Sequence, residues 1–484
     1  MLFMEFLQKS AFLLSVTVLA IALPLEAQTM SSGIDLNAID KSVSPCTNFY
    51  QYACGTWMKN NPLPSDQARW NRFNELAAHN EAIERKILEQ AASAGSARSP
   101  LQQKIGDYYA ACMDEASIER TGVTPLKPTL DQVAALKSRD QLTREVIRLH
   151  RLGIRVFFSL RAQPDEKNAE KYIATVGQGG TAMPDRDYYL KEDPKTVAIR
   201  KQYREHVRKM FELLDKAVGQ PADDAGKKAD DVLAIETTLA KNSMDNVALR
   251  NPDNTYHLMT VKQLADLTPD FGWHDYLAKI GMPPVTSLNV AQPEFIRGLA
   301  ALISDTSLDS LKTYLEWHVL QDSLNLFDRR QPISAGVFPK SFEDENWNFN
   351  SHILNGVPEQ EPRWKRCVQN TDKQLGDALG QEFVKLAFSA KSKEKTLEMV
   401  AEIEKEMGKV IQSAAWMSPA TKDQAITKLH EVANKIGYPE KWQDYSKVKV
   451  VAGDAFGNRR RASEYALERQ LAKVGGKVDK AEWT

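Results

Sequence analysis

The sequence lacks the motifs of several catalytic classes. It has no Gly-x-Ser-x-Gly elbow, no P-loop and no Cys-x-x-Cys pair, which leaves no signature of serine-hydrolase, nucleotide or dithiol chemistry. The formal net charge is −1, so the chain has no overall field that would attract nucleic acid or an anionic membrane. No repeat of fixed period is present, which argues against a solenoid. The full chain of 484 residues is long enough to bury a large core.

Histidine is scarce and scattered, with eight residues in the whole chain. A zinc-peptidase helix needs two histidines one turn apart with a glutamate between them, because both imidazoles must face the ion. The nearest match is His430-Glu431, where Asn434 stands in the place of the second histidine. An asparagine amide is a poor zinc ligand, so we predict a surface helix at this point.

Only one long apolar run is present, from Ala11 to Leu23, and it is followed by Pro24 and a small-residue cleavage candidate at Ala27. The run is shorter than the ~20 apolar residues that span a bilayer. We therefore predict that residues 1–27 are a signal peptide. This predicts export to the periplasm or the extracellular space, with no transmembrane span after cleavage.

Cysteine is also scarce: the four residues are Cys46, Cys54, Cys112 and Cys367. Export permits disulfides, and four cysteines allow three connectivities, between which the residues alone do not choose. Two of the cysteines lie in an aromatic-rich stretch, residues 45–57.

Hydrophobic periodicity predicts a mainly α-helical fold with a few short strands. The strand candidates are 153–160 and 172–176, which are rich in β-branched and aromatic residues. Ser99-Pro100 is a strong helix start, because serine caps and proline suits the first turn. The predicted helices are 68–92, one from Ser99, 133–152, 196–240, 301–326, 392–416, and one from Pro419 that stops at Gly437.

In the last two of these helices, the apolar stripes predict inward-facing side chains. The residues predicted to face inward are Leu397, Val400, Met407, Val410 and Ala414 on the first, and Ile426, Leu429, Ala433 and Ile436 on the second.

Two charged segments have competing interpretations. Arg459-Arg460-Arg461 is predicted to be a solvated helix face, since Asp454, Glu464 and Glu468 flank it. Asp185 and Asp187 could serve as an acid–base pair, but they flank an arginine and open a helix, which favours capping and ion pairing.

Several ordered motifs between residue 42 and the end of the chain resemble the neprilysin-like (M13) zinc metallopeptidases, of bacterial type. The motifs are Pro45-Cys46-Thr47-Asn48-Phe49-Tyr50, Tyr52-Ala53-Cys54-Gly55-Thr56-Trp57, Arg69-Trp70 with Phe73, Tyr109 with Cys112, Pro184 to Tyr189, Pro362 to Cys367, Trp416 to Lys422, and Lys435 to Pro439.

The resemblance implies a large multi-helix domain and a zinc peptidase that acts on small peptides. It ends at Val478 to Thr484, before the segments that hold the family's HExxH and ExxxD zinc ligands. It therefore implies zinc as a cofactor, but this chain has no catalytic and no metal-ligating residue to offer. The expected limits are 1–27 signal peptide, 28–41 linker, 42–448 substrate-chamber region, and 449–484 connection toward a missing zinc domain.

The resemblance also assigns roles to single residues. It implies a Cys112–Cys367 disulfide, whereas the family partners of Cys46 and Cys54 lie in the missing region. Those two thiols would be unpaired, joined to each other or joined to another chain. Arg69 matches an arginine that binds the free carboxylate of short peptides, which suits a guanidinium fork. The structural alternative is a helix-start arginine paired with Glu75.

Phe73 would line the neighbouring side-chain pocket or belong to the core. Some family members have a second basic residue further along this helix, where this chain has Ala77.

The sequence and the resemblance together leave three alternative interpretations of the function. The first is the substrate-chamber portion of an exported zinc metalloendopeptidase, inactive without a C-terminal half that a separate chain could supply. The second is a non-catalytic exported peptide-binding or scaffold protein derived from such a peptidase. The third is a truncated product with no stable fold. Small peptides are the implied ligands, and nucleic acid is not.

Overall fold

A computed structural model describes residues 35–93, 95–327, 332–334 and 336–483. The predicted signal peptide lies outside the described residues. The chain divides into two units, Met1–Pro62 and Leu63–Thr484. The described part of the first unit contains helix α1 (Phe49–Asn60), whose start is capped by the Asn48 side chain, which accepts a hydrogen bond from the backbone N–H of Gln51 at 3.0 Å.

The second unit is mainly α-helical. Its helices are α2 (Arg72–Ser93), α3 (Pro100–Met113), α4 (Glu115–Thr121), α5 (Lys127–Ala134), α6 (Leu142–Arg151), α7 (Asp187–Leu190), α8 (Pro194–Val218), α9 (Ala225–Asn242), α10 (Val261–Leu267), α11 (Trp273–Lys279), α12 (Pro293–Asp305), α13 (Leu308–Leu324), α14 (Lys340–Trp347), α15 (Arg363–Ala387), α16 (Ala390–Ser413), α17 (Pro419–His430) and α18 (Ala455–Leu471). A π-helical segment, Asn348–Ile353, continues α14.

Two small sheets interrupt the helices. The strands are β1 (Phe158–Asp165), β2 (Asn168–Gln178), β3 (Leu258–Thr260), β4 (Ser287–Val290), β5 (Asn325–Phe327) and β6 (Pro332–Ser334). The first four form one sheet in the order β1-β2-β4-β3, in which only the β2–β4 pair is parallel, and β5 pairs with β6. Both predicted strands are therefore present as an antiparallel hairpin, although β1 begins five residues later than predicted.

Capping residues explain where the helices begin and end. Ser99 forms the predicted capping box with Gln102 at the start of α3. Gly219 adopts a φ of +74° and ends α8, and Ser307 caps α13. The predicted helices 196–240 and 301–326 are thus two helices each.

The predicted helix 133–152 is also divided, by a short 3₁₀ turn at Arg139–Gln141. An apolar stripe that continues through a short turn keeps its periodicity, so the pattern alone did not reveal these three breaks.

The core consists of two clusters of buried side chains. The larger one gathers aromatic residues such as Phe211, Tyr314 and Trp317 between the central helices. The smaller one joins α2, α3 and α15 and includes Leu88 and Leu379. The second cluster supports one wall of the cavity described below.

The apolar stripe of α16 faces solvent in the described residues, so the predicted inward orientation is wrong. No residue of α16 or α17 is buried. Met407 is 48% exposed and Val410 is 62% exposed. The two helices pack against each other where Ile426 and Leu429 approach Gly408. Helix α17 ends at His430, so the predicted inward residues Ala433 and Ile436 lie beyond the helix.

Within the part of the chain that the structure describes, no helix combines the length and the apolar character that a membrane crossing requires.

Candidate functional site

A cavity of about 640 Å³ opens in the second unit. Its walls come from the segment 66–70, the first half of α2, the end of α14 with the π-helical segment, the segment 357–361, and the first part of α15. Most of the lining side chains are polar or charged, and a few are apolar. Such a lining suits a polar ligand with a limited apolar part.

Arg69 lies in the wall of this cavity, in the segment that precedes α2. Ser65 and Gln67 hold that segment in place by donating hydrogen bonds to Glu359 at 2.6 Å and Glu361 at 2.9 Å. Asn71 then starts α2 by accepting from the backbone N–H of residues 73 and 74. Arg69 is exposed, and no carboxylate among the described residues lies within 4 Å of its guanidinium. Its charge is therefore available to an anion in the cavity.

Phe73 lies on the first turn of α2 and is 85% exposed. It is not among the residues that line the cavity, and it does not belong to the core. The ion pair near this helix start joins Glu75 to Arg72 at 2.9 Å, not to Arg69. Ala77 lines the same cavity as Arg69. At this position some family members have a second basic residue, which this chain lacks.

Three carboxylates surround one lysine in another wall of the cavity. The Lys365 ammonium lies 2.9 Å from Glu361, 3.4 Å from Asp66 and 3.9 Å from Glu81. Burial raises the pKa of Glu81, against the opposing effects of Gln369 and Lys365. Sequence reasoning did not select these acids, because they come from three segments that only the fold brings together.

The residues from 363 to 367 fix the start of α15. Arg363 donates to the backbone carbonyl of Cys112, Arg366 pairs with the buried Glu343 at 3.1 Å, and Cys367 is bonded to Cys112. Burial raises the pKa of Glu343 to about 7, although the charge of Arg366 opposes this shift. The side chains of Arg363, Arg366 and Cys367 thus connect the start of α15 to α3 and α14.

Four buried polar atoms that belong to cavity-lining residues have no hydrogen-bond partner among the described residues. Two are acceptors and two are donors, namely Asn74 Oδ1, Gln369 Oε1, Trp347 Nε1 and Gln360 Nε2. A buried polar atom without a partner costs about 1–3 kcal/mol. A ligand with both donors and acceptors, such as a peptide, would offset that cost.

A second buried polar cluster was not predicted from the sequence. The hydroxyls of Tyr189 and Tyr203 both donate to Glu236 Oε2, at 2.7 and 2.6 Å, and His318 lies 3.2 Å from the other carboxylate oxygen. Burial is the first cause that raises the pKa of both tyrosines. Glu236 is fully buried, and this cluster lies outside the cavity lining. Its contacts connect α7, α8, α9 and α13.

The segment 185–187 makes structural contacts that include the ion pairing of the favoured interpretation, whereas, among the described residues, the side chain of the N-cap residue of α7 makes no capping hydrogen bond. Asp185 accepts from the backbone N–H of Asp187 at 2.8 Å, and Asp187 pairs with Lys191 at 2.8 Å. Arg186 donates to the backbone carbonyl of Ser243.

The prediction of a fully solvated face for Arg459-Arg460-Arg461 is wrong for its first residue. Arg459 is 9% exposed and donates to backbone carbonyls at the end of α13, where a cation complements the helix dipole. Arg460 pairs with Glu464 at 3.0 Å and Arg461 with Asp454 at 2.9 Å, so the predicted flanking acids do compensate the other two.

Cys112 and Cys367 form a disulfide across a sequence separation of 255 residues. This is the pairing that the resemblance implied. Cys46 and Cys54 are free thiols, the first exposed and the second partly buried.

The described residues do not fit a zinc site. They contain no group of three or more His, Cys, Asp or Glu side chains that could hold a metal ion. His430 is the last residue of α17, and Asn434 lies outside the helix and donates to Glu404 at 2.9 Å. The partial match at 430–434 therefore lacks both the second histidine and the continuous helix that a zinc peptidase needs.

Comparison with known proteins identifies the class. The model of peptidase family M13, N-terminal region, matches residues 45–439. Endothelin-converting enzyme 1 of Rattus norvegicus is 30% identical over 432 residues, which is 87% of this chain and 54% of that protein. Neprilysin-3 of Drosophila melanogaster is 26% identical over 93% of this chain and 58% of its own length.

Among solved structures, the zinc metalloprotease ZMP1 of Mycobacterium tuberculosis, in complex with an inhibitor, superposes with a TM-score of 0.83 and 31% identity, covering 93% of this chain and 66% of that one. The chain therefore belongs to peptidase family M13. It spans about half the length of the curated relatives that it matches.

Proposed function

We propose that this chain forms the N-terminal, substrate-chamber portion of an exported zinc metalloendopeptidase that acts on small peptides. The observation that supports this most directly is the cavity, in which Arg69 presents a guanidinium without a carboxylate partner among the described residues. Arg69 would bind the free C-terminal carboxylate of the peptide, since a guanidinium fork can form two parallel hydrogen bonds with it. Phe73, on the first turn of α2, is 85% exposed outside the cavity lining and would contact a part of the peptide that extends beyond the cavity.

Hydrolysis would need zinc ligands from a C-terminal portion, either on the same polypeptide or on a separate chain. A zinc ion held by those ligands would supply the Lewis-acid and water-activating chemistry that peptide hydrolysis needs. Because the described residues provide no ligand set for it, we propose that these residues bind and orient peptide but do not hydrolyse it on their own.

The exposed apolar stripe of α16 supports docking of such a portion. Met399, Ile403, Met407 and Val410 follow one another at helical spacing on one face, and each is between 48% and 62% exposed. Large apolar side chains exposed together on one helix face suit an interaction surface. Trp416, just after the helix, adds a side chain that is 80% exposed.

Export remains part of the proposal. The Cys112–Cys367 disulfide is compatible with an oxidising compartment, and the signal peptide is proposed for residues 1–27. The proposed limits beyond it are the linker 28–41, the substrate-chamber region 42–448, and the connection 449–484. Cys46 and Cys54 would pair with cysteines of the C-terminal portion.

The proposal is tested by peptide cleavage. The purified chain without its signal peptide is incubated with zinc and a quenched fluorescent pentapeptide, alone and together with the C-terminal portion of an M13 relative. We expect chelator-sensitive cleavage only in the mixture. Zinc-dependent cleavage by the purified chain alone would overturn the proposed inactivity.

Peptide binding separates the proposal from its alternative, a scaffold protein. The scaffold alternative gains support if the chain is folded and docks other proteins but binds no peptide through Arg69.

A further inference from the structure

We propose that the cavity selects peptides with a basic side chain close to the free C-terminal carboxylate, which Asp66, Glu81 and Glu361 would bind. This inference rests on the proposed function, because it assigns a specificity to the same cavity. The proposed function concerns Arg69 and the carboxylate of the peptide, whereas this inference concerns three acidic residues and a side chain of the peptide.

The charge balance of this wall is the first argument. Three carboxylates share one lysine, since Lys365 is the cation of the described residues that lies within 4 Å of Asp66, Glu81 and Glu361. With all three acids ionised, three negative charges and one positive charge leave a local surplus of −2. The side chains of the three acids are 23%, 19% and 22% exposed, so a ligand can reach them from the cavity.

The other cations of the cavity do not cancel this surplus. Arg366 is 9% exposed and pairs with Glu343, which does not line the cavity. Arg69 has no carboxylate within 4 Å among the described residues. The cavity therefore combines an acid-rich wall with the guanidinium of Arg69, which has no carboxylate of the described residues within 4 Å, and this combination matches a peptide end that carries a carboxylate and a cationic side chain.

Unpartnered acceptors beside the acids are the second, independent argument. The amide N–H₂ of Gln369 donates to Glu81 at 2.9 Å, and its Oε1 is buried without a partner among the described residues. Asn74 Oδ1, on the same helix as Glu81, also lines the cavity and has no hydrogen-bond partner among the described residues. An ammonium or guanidinium group has several N–H donors and no acceptor, so it complements a wall that offers carboxylates together with amide oxygens.

The remaining lining completes the match. Trp347 Nε1 and Gln360 Nε2 are unpartnered donors among the described residues that line the cavity, and they can serve the carbonyl groups of a peptide backbone. Ala77, Ala78 and Val357 provide apolar surface for the methylene stem of a lysine or arginine. Burial raises the pKa of Glu81, a desolvation cost that a bound cation would offset.

The test measures binding of fluorescein-labelled pentapeptides to the purified chain by anisotropy. The peptides have lysine or its uncharged analogue norleucine at the last or the penultimate position, and each is made with a free and an amidated C-terminus. We expect a lysine peptide to bind about tenfold more tightly than its norleucine analogue, the size of one partly buried charge pair. The preference should weaken as salt is added.

Two variants connect this preference to the acids. Glu81→Gln and Asp66→Asn keep the shape of each side chain, and each should lower the lysine preference several-fold without changing the ratio between acid and amide peptides. Glu89→Gln is the matched control, because Glu89 lies exposed on the same helix and outside the cavity lining. Circular dichroism melts confirm that each variant is folded.

The outcomes distinguish the two proposals. If norleucine peptides bind as well as lysine peptides at both positions, or if the two variants leave the preference unchanged, the specificity inference is wrong. If amidation has no effect while the lysine preference persists, the carboxylate role of Arg69 is wrong instead. Absence of all peptide binding overturns both.

Discussion

Arg363 donates two hydrogen bonds to the backbone carbonyl of Cys112, at 2.9 and 2.6 Å, and a third to that of Gly336 at 2.8 Å. The disulfide between Cys112 and Cys367 lies one helical turn further along α15. A covalent bond and a charge-assisted hydrogen-bond cluster therefore fasten the same two helices, α3 and α15. Since the first part of α15 forms a wall of the cavity, this connection fixes the position of Lys365 and Gln369.

Removal of the disulfide should destabilise the second unit. In the chain-entropy model a loop of this length contributes on the order of 5 kcal/mol. The double variant Cys112→Ala, Cys367→Ala should lower the free energy of unfolding by several kcal/mol, as measured by urea denaturation. The wild-type chain should lose similar stability when it is reduced, whereas the double variant should not respond to reductant. Equal stability of the wild type and the double variant in the absence of reductant would contradict the prediction.

Replacement of Arg363 should weaken the same connection. Arg363→Met removes three hydrogen bonds and leaves the carbonyl groups of Cys112 and Gly336 without this donor, at a cost of about 1–3 kcal/mol for each buried acceptor left unpaired. Thermal and urea unfolding measure the change. Arg297→Met is the control, because Arg297 makes an exposed i,i+3 pair, and such pairs contribute about 1 kcal/mol or less.

Glu84 should make stability depend on pH. Burial and then the charges of Asp372 and Glu81 raise its pKa from 4.5 to about 8. In the unfolded chain Glu84 releases its proton near pH 4.5, while the folded chain keeps it up to about pH 8. The free energy of unfolding should therefore fall as the pH rises through this window, by at most about 1.4 kcal/mol per pH unit from this group, and level off above it.

Glu84→Gln tests this pH dependence. The variant should unfold with a shallower pH slope between pH 5 and 8 than the wild type, and above pH 8 it should be the more stable of the two. Urea unfolding across this range gives the comparison. Glu89→Gln, on the same exposed helix surface as its partner Arg85, should keep the wild-type slope. Parallel curves for the wild type and Glu84→Gln would show that the carboxyl titrates normally.

Local signals in the sequence predicted the parts of this fold that local interactions determine. The capping box at Ser99 and Gln102 is present, because both partners lie within one turn. The β1–β2 hairpin is present, although only residues 158–160 of the first predicted strand belong to β1, whose second half has weak β propensity. The helix breaks at Gly219 and Ser307 were missed, because the apolar periodicity continues on both sides of each break.

The environment of a side chain could not be predicted in the same way. An apolar stripe shows which face of a helix is hydrophobic, but not whether other parts of the described chain pack against that face. On α16, Val410 remains exposed. Arg459 is charged and its neighbours pair at the surface, yet it is buried at the end of α13. The resemblance directed attention to Arg69, whereas Glu81 and Lys365 became candidates only when the fold placed them in one cavity.

The α16 stripe should matter for docking and not for stability. Ile403 and Val410 are 57% and 62% exposed, so the double variant Ile403→Gln, Val410→Gln should change the free energy of unfolding of this chain by about 0.5 kcal/mol or less per site. It should reduce binding of a hydrophobic dye, and it should weaken docking of the C-terminal portion of an M13 relative. Lys405→Gln is the control and should change neither, because Lys405 lies about 200° around the helix from Ile403 and about 140° from Val410. A large loss of stability would show that the stripe is packed.

Arg69 should determine whether the chain distinguishes a free C-terminal carboxylate from an amide. Arg69→Ala should weaken binding of a free-acid pentapeptide by at least about tenfold, the loss expected for a charge-assisted pair, and leave binding of the amidated peptide unchanged. Arg72→Ala is a matched control, because Arg72 lies three residues away but pairs with Glu75 at 2.9 Å. Anisotropy titrations of both peptides against the three proteins give the comparison. If Arg69→Ala still prefers the free acid, another cation of the cavity, such as Lys365, must bind the carboxylate.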